Sequence, residues 1–474
     1  MTTRSRTGWT LALVSAALFM VTLDNLVVTN ALPRIRVDLG AGIDSLEWTV
    51  NAYTLSFAVL LLTGAALGDR FGRRRMFIAG LGVFTLGSAA AALAPSTTAL
   101  IAARAIQGSG AAMVAPLTLT LLSEAFPAGR RGVALGIWSG ISGLGVALGP
   151  VIGGAVIAGF SWHWIFWLNV PVGLVLIPLA WSRLSESRGP NAHLDLPGVA
   201  LASIGLLGIV YGLVRANALG WTSATILGSL IGGAAVLGAF AAWEQRTSTP
   251  MLPLRFFRSR AFTATNAVSL TMYFGMFGSI FLLAQFFQTA QHFSPFQAGL
   301  RTLPWTGMPM LVAPLAGILS DRLGSRPLMF AGLALQTVAL GWFALVLDAG
   351  MPYTAVIGPF IIAGTGMALV FAPAANAVLA SVAPHEAGQA SGATNAIREV
   401  GGVLGVAVLA TVFTSAGGYA TPHIFVQGLI PAVMVGAGVL GLGAVAALFV
   451  PRLRRAQPGT ALVAAEAESA ALAA

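Results

Sequence analysis

The feature that most restricts the fold of this chain is a succession of long apolar segments separated by short polar loops. The segments are about 20 residues long or longer, the length that an α-helix needs to cross the hydrocarbon core of a bilayer. They are too long for membrane strands and lack the alternation that such strands show. Charged residues make up only 8% of the 474 residues, whereas soluble domains carry about 25%. We therefore expect an integral membrane protein.

Fourteen segments are long enough to span a bilayer, which predicts an all-α polytopic membrane protein with 14 transmembrane helices. The first segment resembles a signal peptide in that Arg4 and Arg6 precede it. Its length and the lack of a small-residue cleavage site favour a membrane span instead. The predicted spans cover residues 9–32, 46–68, 76–95, 98–122, 132–158, 163–182, 196–215, 222–243, 261–289, 297–319, 327–347, 353–380, 390–415 and 424–450.

The basic residues indicate how the chain is oriented. All 25 are arginine, and the net charge is +10. Most of them fall in alternate loops, on the side that also holds both termini. Positively charged loops favour the cytoplasm, so we expect a multi-pass protein of the inner cell membrane with cytoplasmic N- and C-termini. We expect no nucleic-acid partner, because the charges are distributed among loops and do not form one basic patch.

An internal repeat divides the chain. The segment AALGDRFGRR at 65–74 aligns without gaps with GILSDRLGSR at 317–326, and three glycines of the fifth span recur in the thirteenth. Two parallel halves with a pathway between them are the architecture of an alternating-access transporter. We predict two six-helix bundles at 1–182 and 261–450, joined by a linker at 183–260 with two extra helices, and a disordered cytoplasmic tail at 451–474.

The loop LGDRFGRRR at 67–75 holds one acid and four arginines. It is either an anchor with a glycine turn or a conformational latch, in which the acid faces a helix N-terminus and the arginines face acidic groups. The repeated acid and arginine favour the latch. The segment resembles the loop signature of the major facilitator superfamily, with Ala65 where that signature has glycine, which puts close helix approach there in question. The proposed latch residues are Asp69, Arg70, Gly72, Arg73, Asp321 and Arg322.

The fifth span reads GIWSGISGLGVALGPVIGG at 136–154. Glycines four residues apart let another helix approach closely, and a proline bends the helix. Simple helix packing also explains the glycines. The full spacing resembles the signature of the superfamily's antiporters, where it implies a kinked, leak-tight contact between the halves and therefore export. The motif residues are Gly145, Gly149, Pro150, Gly153 and Gly154.

Two charged residues lie inside spans of the first half. Asp24 lies about 14 Å below the outer end of the first helix and Arg104 about 9 Å from the same side, at 1.5 Å per residue, so the two can meet. A carboxylate that alternates between a guanidinium and another environment would bind and release a proton. We therefore propose both as proton-coupling residues. The alternatives are structural hydrogen bonds for Asp24 and snorkelling of Arg104.

Arg398 and Glu399 lie near the midplane of the thirteenth span. Adjacent helical residues point about 100° apart, so the two do not simply neutralise each other. Glu399 is a candidate second proton-coupling or cation-binding group, and a static structural pair with neighbouring helices explains it equally well. Polar and aromatic residues that suit flat, lipophilic cations form the predicted substrate cavity, which comprises Asn25, Asn30, Trp48, Asn51, Tyr53, Asn395 and Arg398.

Three further segments carry a closer resemblance. LDNLVVTNALP at 23–33, WHWIFWLNVPVG at 162–173 and ASGATNAIREVGGVLGVA at 390–407 resemble helices 1, 6 and 13 of the fourteen-helix drug:proton antiporter family. The resemblance implies a proton-coupled antiporter that exports amphipathic, cationic drugs or antibiotics by alternating access. A dedicated exporter of one endogenous metabolite or self-made antibiotic, and a non-transporting membrane sensor, remain alternatives.

Several kinds of chemistry are not expected. The chain has no cysteine, its 5 histidines lack metal-ligand spacing, and no GxxxxGK[ST] loop is present for ATP. We therefore expect no enzyme activity, no metal and no cofactor, with the proton as coupling ion. The expected partners are small amphipathic molecules, protons and membrane lipid, and we expect a monomer.

Overall fold

A computed structural model describes residues 3–41, 43–189 and 195–452, and these residues form a bundle of α-helices with short connections. The first half contains α1 (Thr3–Leu39), α2 (Ile43–Phe71), α3 (Arg73–Ala92), α4 (Thr97–Ala125), α5 (Ala128–Gly159), α6 (Trp164–Trp167) and α7 (Asn169–Arg183). Two inserted helices follow, α8 (Leu196–Leu219) and α9 (Ala224–Glu244). The second half contains α10 (Arg260–Gln285), α11 (Pro295–Thr306), α12 (Met308–Leu323), α13 (Ser325–Val346), α14 (Thr354–Ala380), α15 (Ala387–Ala416) and α16 (Pro422–Ala447).

The described residues contain 14 helical segments long and apolar enough to cross a membrane, which confirms the number of spans predicted from hydropathy. Two spans are divided in ways that hydropathy did not show. The sixth is split into α6 and α7, and the tenth into α11 and α12. Pro171 and Pro309 explain the breaks, because proline has no N–H to donate to the carbonyl four residues earlier. The predicted tail lies outside the described residues from position 453 onward.

The packing repeats between the halves. In the first half α3 packs on α4 and α1 on α5, and in the second half α13 packs on α14 and α10 on α15. The contact of α2 with α4 likewise recurs between α12 and α14. Between the halves, α5 packs against α11 and α12, and α15 packs against α2. This is the arrangement expected of two parallel repeats, although the domain boundaries assigned from the sequence stay a prediction.

The inserted helix α8 contacts both halves. The ring of Trp48 in α2 stacks on Tyr211 of α8, with ring centroids 6.2 Å apart. In the last turn of α8, Asn217 donates to the carbonyl of Ala407 at 3.1 Å, and Trp221, just after the helix, donates to Thr411 in α15 at 2.7 Å. Helix α8 therefore contacts both α2 of the first half and α15 of the second.

Candidate functional site

Asp24 and Arg104 form an ion pair inside the first half. Asp24 is 2% exposed and Arg104 is fully buried. Nη1 of Arg104 lies 2.6 Å from Oδ2 of Asp24. The sequence prediction that these two side chains meet, which rested on helix depth alone, is confirmed by this contact. Their role in proton coupling stays a proposal.

Amide and hydroxyl groups complete the surroundings of the Asp24 carboxylate. Gln107 and Asn169 each donate to its Oδ1, at 2.8 Å and 2.6 Å. Both amides also donate to the hydroxyl of Ser88, at 2.6 Å and 3.0 Å. Sequence reasoning missed these three residues. Gln107 was detectable, because it lies one helical turn after Arg104 and so shares its face.

Helix α2 holds the other side of the Arg104 guanidinium. Nε of Arg104 donates to the carbonyl of Thr49 at 3.2 Å, and the guanidinium carbon lies 4.2 Å from the ring centroid of Tyr53. The Tyr53 hydroxyl donates to the carbonyl of Val21 in α1 at 3.3 Å. The ion pair is therefore enclosed by helices of one half. The Asp24 carboxylate of α1 is contacted by α4 and α7, and α2 contacts the Arg104 guanidinium.

The predicted substrate-cavity residues do not share one environment. Tyr53 is 1% exposed beneath Arg104, so it does not line an open cavity, and Trp48 stacks on Tyr211 of the inserted helix α8. The placement of Tyr53 corrects the sequence prediction, because its ring is buried against the Arg104 guanidinium, whereas a role for the half-buried Trp48 stays a prediction. Asn25, Asn51 and Asn395 are half-buried. The side chain of Asn30 lies outside the described part of the chain.

Arg398 and Glu399 occupy different surroundings on α15. Arg398 is 3% exposed, and its guanidinium carbon lies 5.6 Å from the ring centroid of Tyr273 in α10. Its Nε and Nη2 atoms have no hydrogen-bond partner among the described residues. Glu399 is half-buried. It lies two helical turns after Gly392, which packs against Ala65 and Leu62 of α2, so it shares the face of α15 that meets the first half.

The proposed latch residues lie on the face of the bundle that carries the loops after α2, α4, α12 and α14, here called the terminal face. Arg73 is fully buried and forms ion pairs with Asp69 and with Glu124 of α4. Its Nη2 also donates to the carbonyl of His385 in the second half, at 3.2 Å. Arg73 thus links the two halves at this face. Sequence reasoning missed Glu124.

The two loop acids occupy equivalent places. Asp69 lies against Gly388 in the first turn of α15, and Asp321 lies against Gly132 near the start of α5. A Cβ at either glycine would overlap the carboxylate. Asp321 also accepts from the backbone N–H of Gly132 and from Asn376. Each acid therefore contacts a helix N-terminal region of the opposite half, where the helix dipole favours negative charge.

The other latch residues differ in their surroundings. Gly72 has a φ of 109°, which a residue with a Cβ rarely adopts. The guanidinium of Arg70 lies over Phe71, 4.9 Å from the ring centroid, and Arg322 is exposed. Ala65 is buried and packs on Gly392 of α15. Close helix approach is therefore kept at Ala65, because the glycine on the partner helix provides the space.

The glycines of α5 divide between two faces. Gly132, Gly136, Gly140 and Gly143 face α12 of the second half. Gly145 and Gly149 face α1 of the same half instead, at Thr22 and Leu26. The expectation that these two glycines lie between the halves is wrong, because they fall on a different side of the helix. Gly154 does meet the second half, where its Cβ position lies 2.9 Å from Cα of Phe296. Gly153 is buried, and the Pro150 side chain lies outside the described part.

Comparisons with known proteins agree with this architecture. A family model for the Major Facilitator Superfamily matches residues 14–406 and 267–471. The tetracenomycin C resistance and export protein of Streptomyces glaucescens is 34% identical over 433 residues, which cover 91% of this chain and 80% of the relative. The cephamycin export protein CmcT of Amycolatopsis lactamdurans is 38% identical over 429 residues, covering 89% and 88%. The solved structure of the proton:xylose symporter XylE matches with a TM-score of 0.70 at 16% identity, covering 95% of this chain and 97% of that one.

The family match and the relatives named above define a multi-pass membrane transporter, and not an enzyme. The chain belongs to the Major Facilitator Superfamily. Its curated relatives include antibiotic resistance and export proteins, as expected for the fourteen-helix drug antiporter family that the sequence motifs resemble.

Proposed function

We propose that this chain is a proton-coupled antiporter that exports amphipathic, cationic compounds across the cytoplasmic membrane by alternating access, with the terminal face in the cytoplasm. The observation that carries the proposal is the buried ion pair of Asp24 and Arg104. Ionisable groups inside a membrane are costly and mark ion or proton pathways more often than not. The relatives whose names include resistance and export support the direction of transport.

Proton binding at Asp24 changes the contacts among three helices. Neutral Asp24 no longer attracts Arg104 as a charge, so the bond between α1 and α4 weakens. Arg104 remains held by the carbonyl of Thr49 and the ring of Tyr53 in α2. Helix α2 in turn packs on α15 of the second half. A shift of Arg104 toward α2 is thus the proposed route from the proton to the interface between the halves.

The contacts at the terminal face supply the proposed latch. Arg73 joins Asp69 and Glu124 within the first half and reaches His385 in the second. In the described state these contacts hold the halves together at the proposed cytoplasmic side. Opening that side requires the bond to His385 to break. Glu399, on the face of α15 that packs on α2, is the proposed second proton or cation site.

The experiment is transport by the purified protein in proteoliposomes that contain a pH-sensitive dye. Addition of a cationic substrate is expected to drive proton movement in the wild type. Asp24→Asn is expected to reduce it by about tenfold or more, because the amide keeps the size but cannot exchange a proton. Asp38→Asn is the matched control, since Asp38 is an exposed carboxylate near the end of the same helix and accepts from Trp162. Normal coupled transport by Asp24→Asn would contradict the proposal.

A dedicated exporter of one antibiotic is the second candidate. It is favoured by relatives whose names refer to a single compound, namely tetracenomycin C and cephamycin. A panel of cationic and neutral compounds in the same assay distinguishes the two. Responses to several unrelated compounds would support multidrug export. A response to a single compound would support the dedicated exporter.

A further inference from the structure

The buried guanidinium of Arg398 lacks the partners that a buried charge needs. Two of its nitrogen atoms, Nε and Nη2, make no hydrogen bond with the described residues, although the residue is 3% exposed. An unsatisfied buried donor costs free energy, and an unpaired buried charge costs more. Tyr273 offers its ring to the guanidinium at 5.6 Å, but a ring face accepts no conventional hydrogen bond.

The repeat shows that the fold does not require an arginine here. In the repeat, Gly136 aligns with Gly392 and Gly145 with Gly401. The same alignment pairs Ser142 with Arg398. Helix α5 thus builds the same packing position without a charge. Helix packing therefore does not explain why a buried charge stands at position 398. A bound ligand would supply the missing hydrogen-bond partners.

Arg398 lies where a ligand between the halves can reach it. Asn395 and Glu399, one helical turn apart, form a partly exposed stripe of α15. That stripe faces the first half, because it continues the face of α15 on which Gly392 packs against Ala65 and Leu62 of α2. Arg398 follows Asn395 by three residues and so lies at the border of the stripe. Glu399 itself forms no ion pair with Arg398 in the described structure, since adjacent helical residues point about 100° apart.

We infer that Arg398 binds an anionic oxygen of the transported molecule, either a carboxylate or a phenolate on an amphipathic aromatic compound. The guanidinium is planar and presents its N–H groups in a fork that matches such oxygens. The aromatic ring of Tyr273 provides a flat apolar surface beside the bound oxygen. Glu399 is then left for a cationic group of the same compound. The inference rests on the proposed function as a transporter and extends its substrate class from simple cations to compounds that also carry an acidic oxygen.

The test compares two dyes that differ in one group. Rhodamine B has a free carboxylate, and the ethyl ester of rhodamine B does not, while the aromatic cation is shared. Fluorescence titration of the purified protein in detergent is expected to show binding of the acid about tenfold or more tighter than the ester, as for a charge-assisted hydrogen bond. Arg398→Gln is expected to abolish the preference, and Arg398→Lys to keep only part of it.

Arg301→Gln is the matched control. Arg301 is also stacked on aromatic rings, those of Phe293 and Tyr353, but it lies outside the proposed site, so the ratio of the two affinities should stay that of the wild type. Thermal unfolding gives an independent readout. Arg398→Gln should be at least as stable as the wild type, because it removes an unpaired buried charge.

Several outcomes would overturn the inference: equal affinities of the two dyes, no measurable binding of the acid, or a preference that survives Arg398→Gln. A clear fall in unfolding temperature on Arg398→Gln would show an internal partner and also contradict it. Because binding in detergent needs no proton gradient, failure of this inference is distinct from failure of proton-coupled export. A preference for the acid without proton-driven transport would leave the binding site intact and refute only the antiport.

Discussion

The buried ion pair of Asp24 and Arg104 need not stabilise the fold. Desolvation of both charges offsets much of their attraction, and a well-packed apolar pair is often as stable. Here the pair is surrounded by Gln107, Asn169 and Ser88, which form a hydrogen-bonded cluster in the first half. A cluster of this kind holds the carboxylate in one position when it is charged. The presence of this charged carboxylate in an apolar bundle supports the proposed function, which uses the charge.

Arg104→Lys tests whether the shape of the guanidinium matters as well as its charge. Lysine keeps a cation near Asp24 but loses the donation from Nε to the carbonyl of Thr49 and the planar contact with Tyr53. We expect proton-coupled transport to fall by about tenfold or more, with the protein still folded by size-exclusion chromatography. Arg301→Lys should transport normally, and equal activity of the two variants would show that charge alone suffices.

The helices and their order could be predicted from the sequence because hydropathy and length identify membrane spans directly. The meeting of Asp24 with Arg104 was also predictable, since helix depth follows from the rise per residue. The enclosure of that pair was not, because it depends on which helices pack around α1. Spacing likewise showed that Gly145 and Gly149 share a face, but not that the face meets α1 instead of the second half. The helix breaks near Pro171 and Pro309 could have been predicted from the sequence, because proline inside a helix removes a backbone hydrogen bond.

Gly388→Ala tests the contact between α2 and α15 at the terminal face. A Cβ there would overlap the Asp69 carboxylate, so the first turn of α15 and the last turns of α2 must separate. We expect a destabilisation of about 1–3 kcal/mol, as for other overpacked contacts, measured by thermal unfolding in detergent. Gly82→Ala in α3 is the matched control, because nothing lies within 4 Å of a Cβ at that position. An unchanged unfolding temperature for Gly388→Ala would contradict this account of the contact.

The two halves are alike in packing and unlike in chemistry. The same helix pairs contact each other in both, and both loop acids lie against a helix start of the opposite half. The buried acid of the first half, however, corresponds to Met276 in the second, and Arg73 of the latch corresponds to Ser325. Conversely, Arg398 corresponds to Ser142. Under the proposed function, this asymmetry places the main proton site, Asp24, in the first half and the proposed ligand contact, Arg398, in the second.

The measurement that tests this account most directly is proton release when substrate binds to the detergent-solubilised protein in unbuffered solution. If substrate and proton compete through Asp24, the wild type should release up to one proton per bound molecule by linkage, measured at a pH low enough for the substrate-free carboxyl to carry its proton. Asp38→Asn should release the same amount, and Asp24→Asn should bind substrate without releasing a proton. Equal release by Asp24→Asn and the wild type would contradict the assignment of Asp24 as the proton-coupling residue.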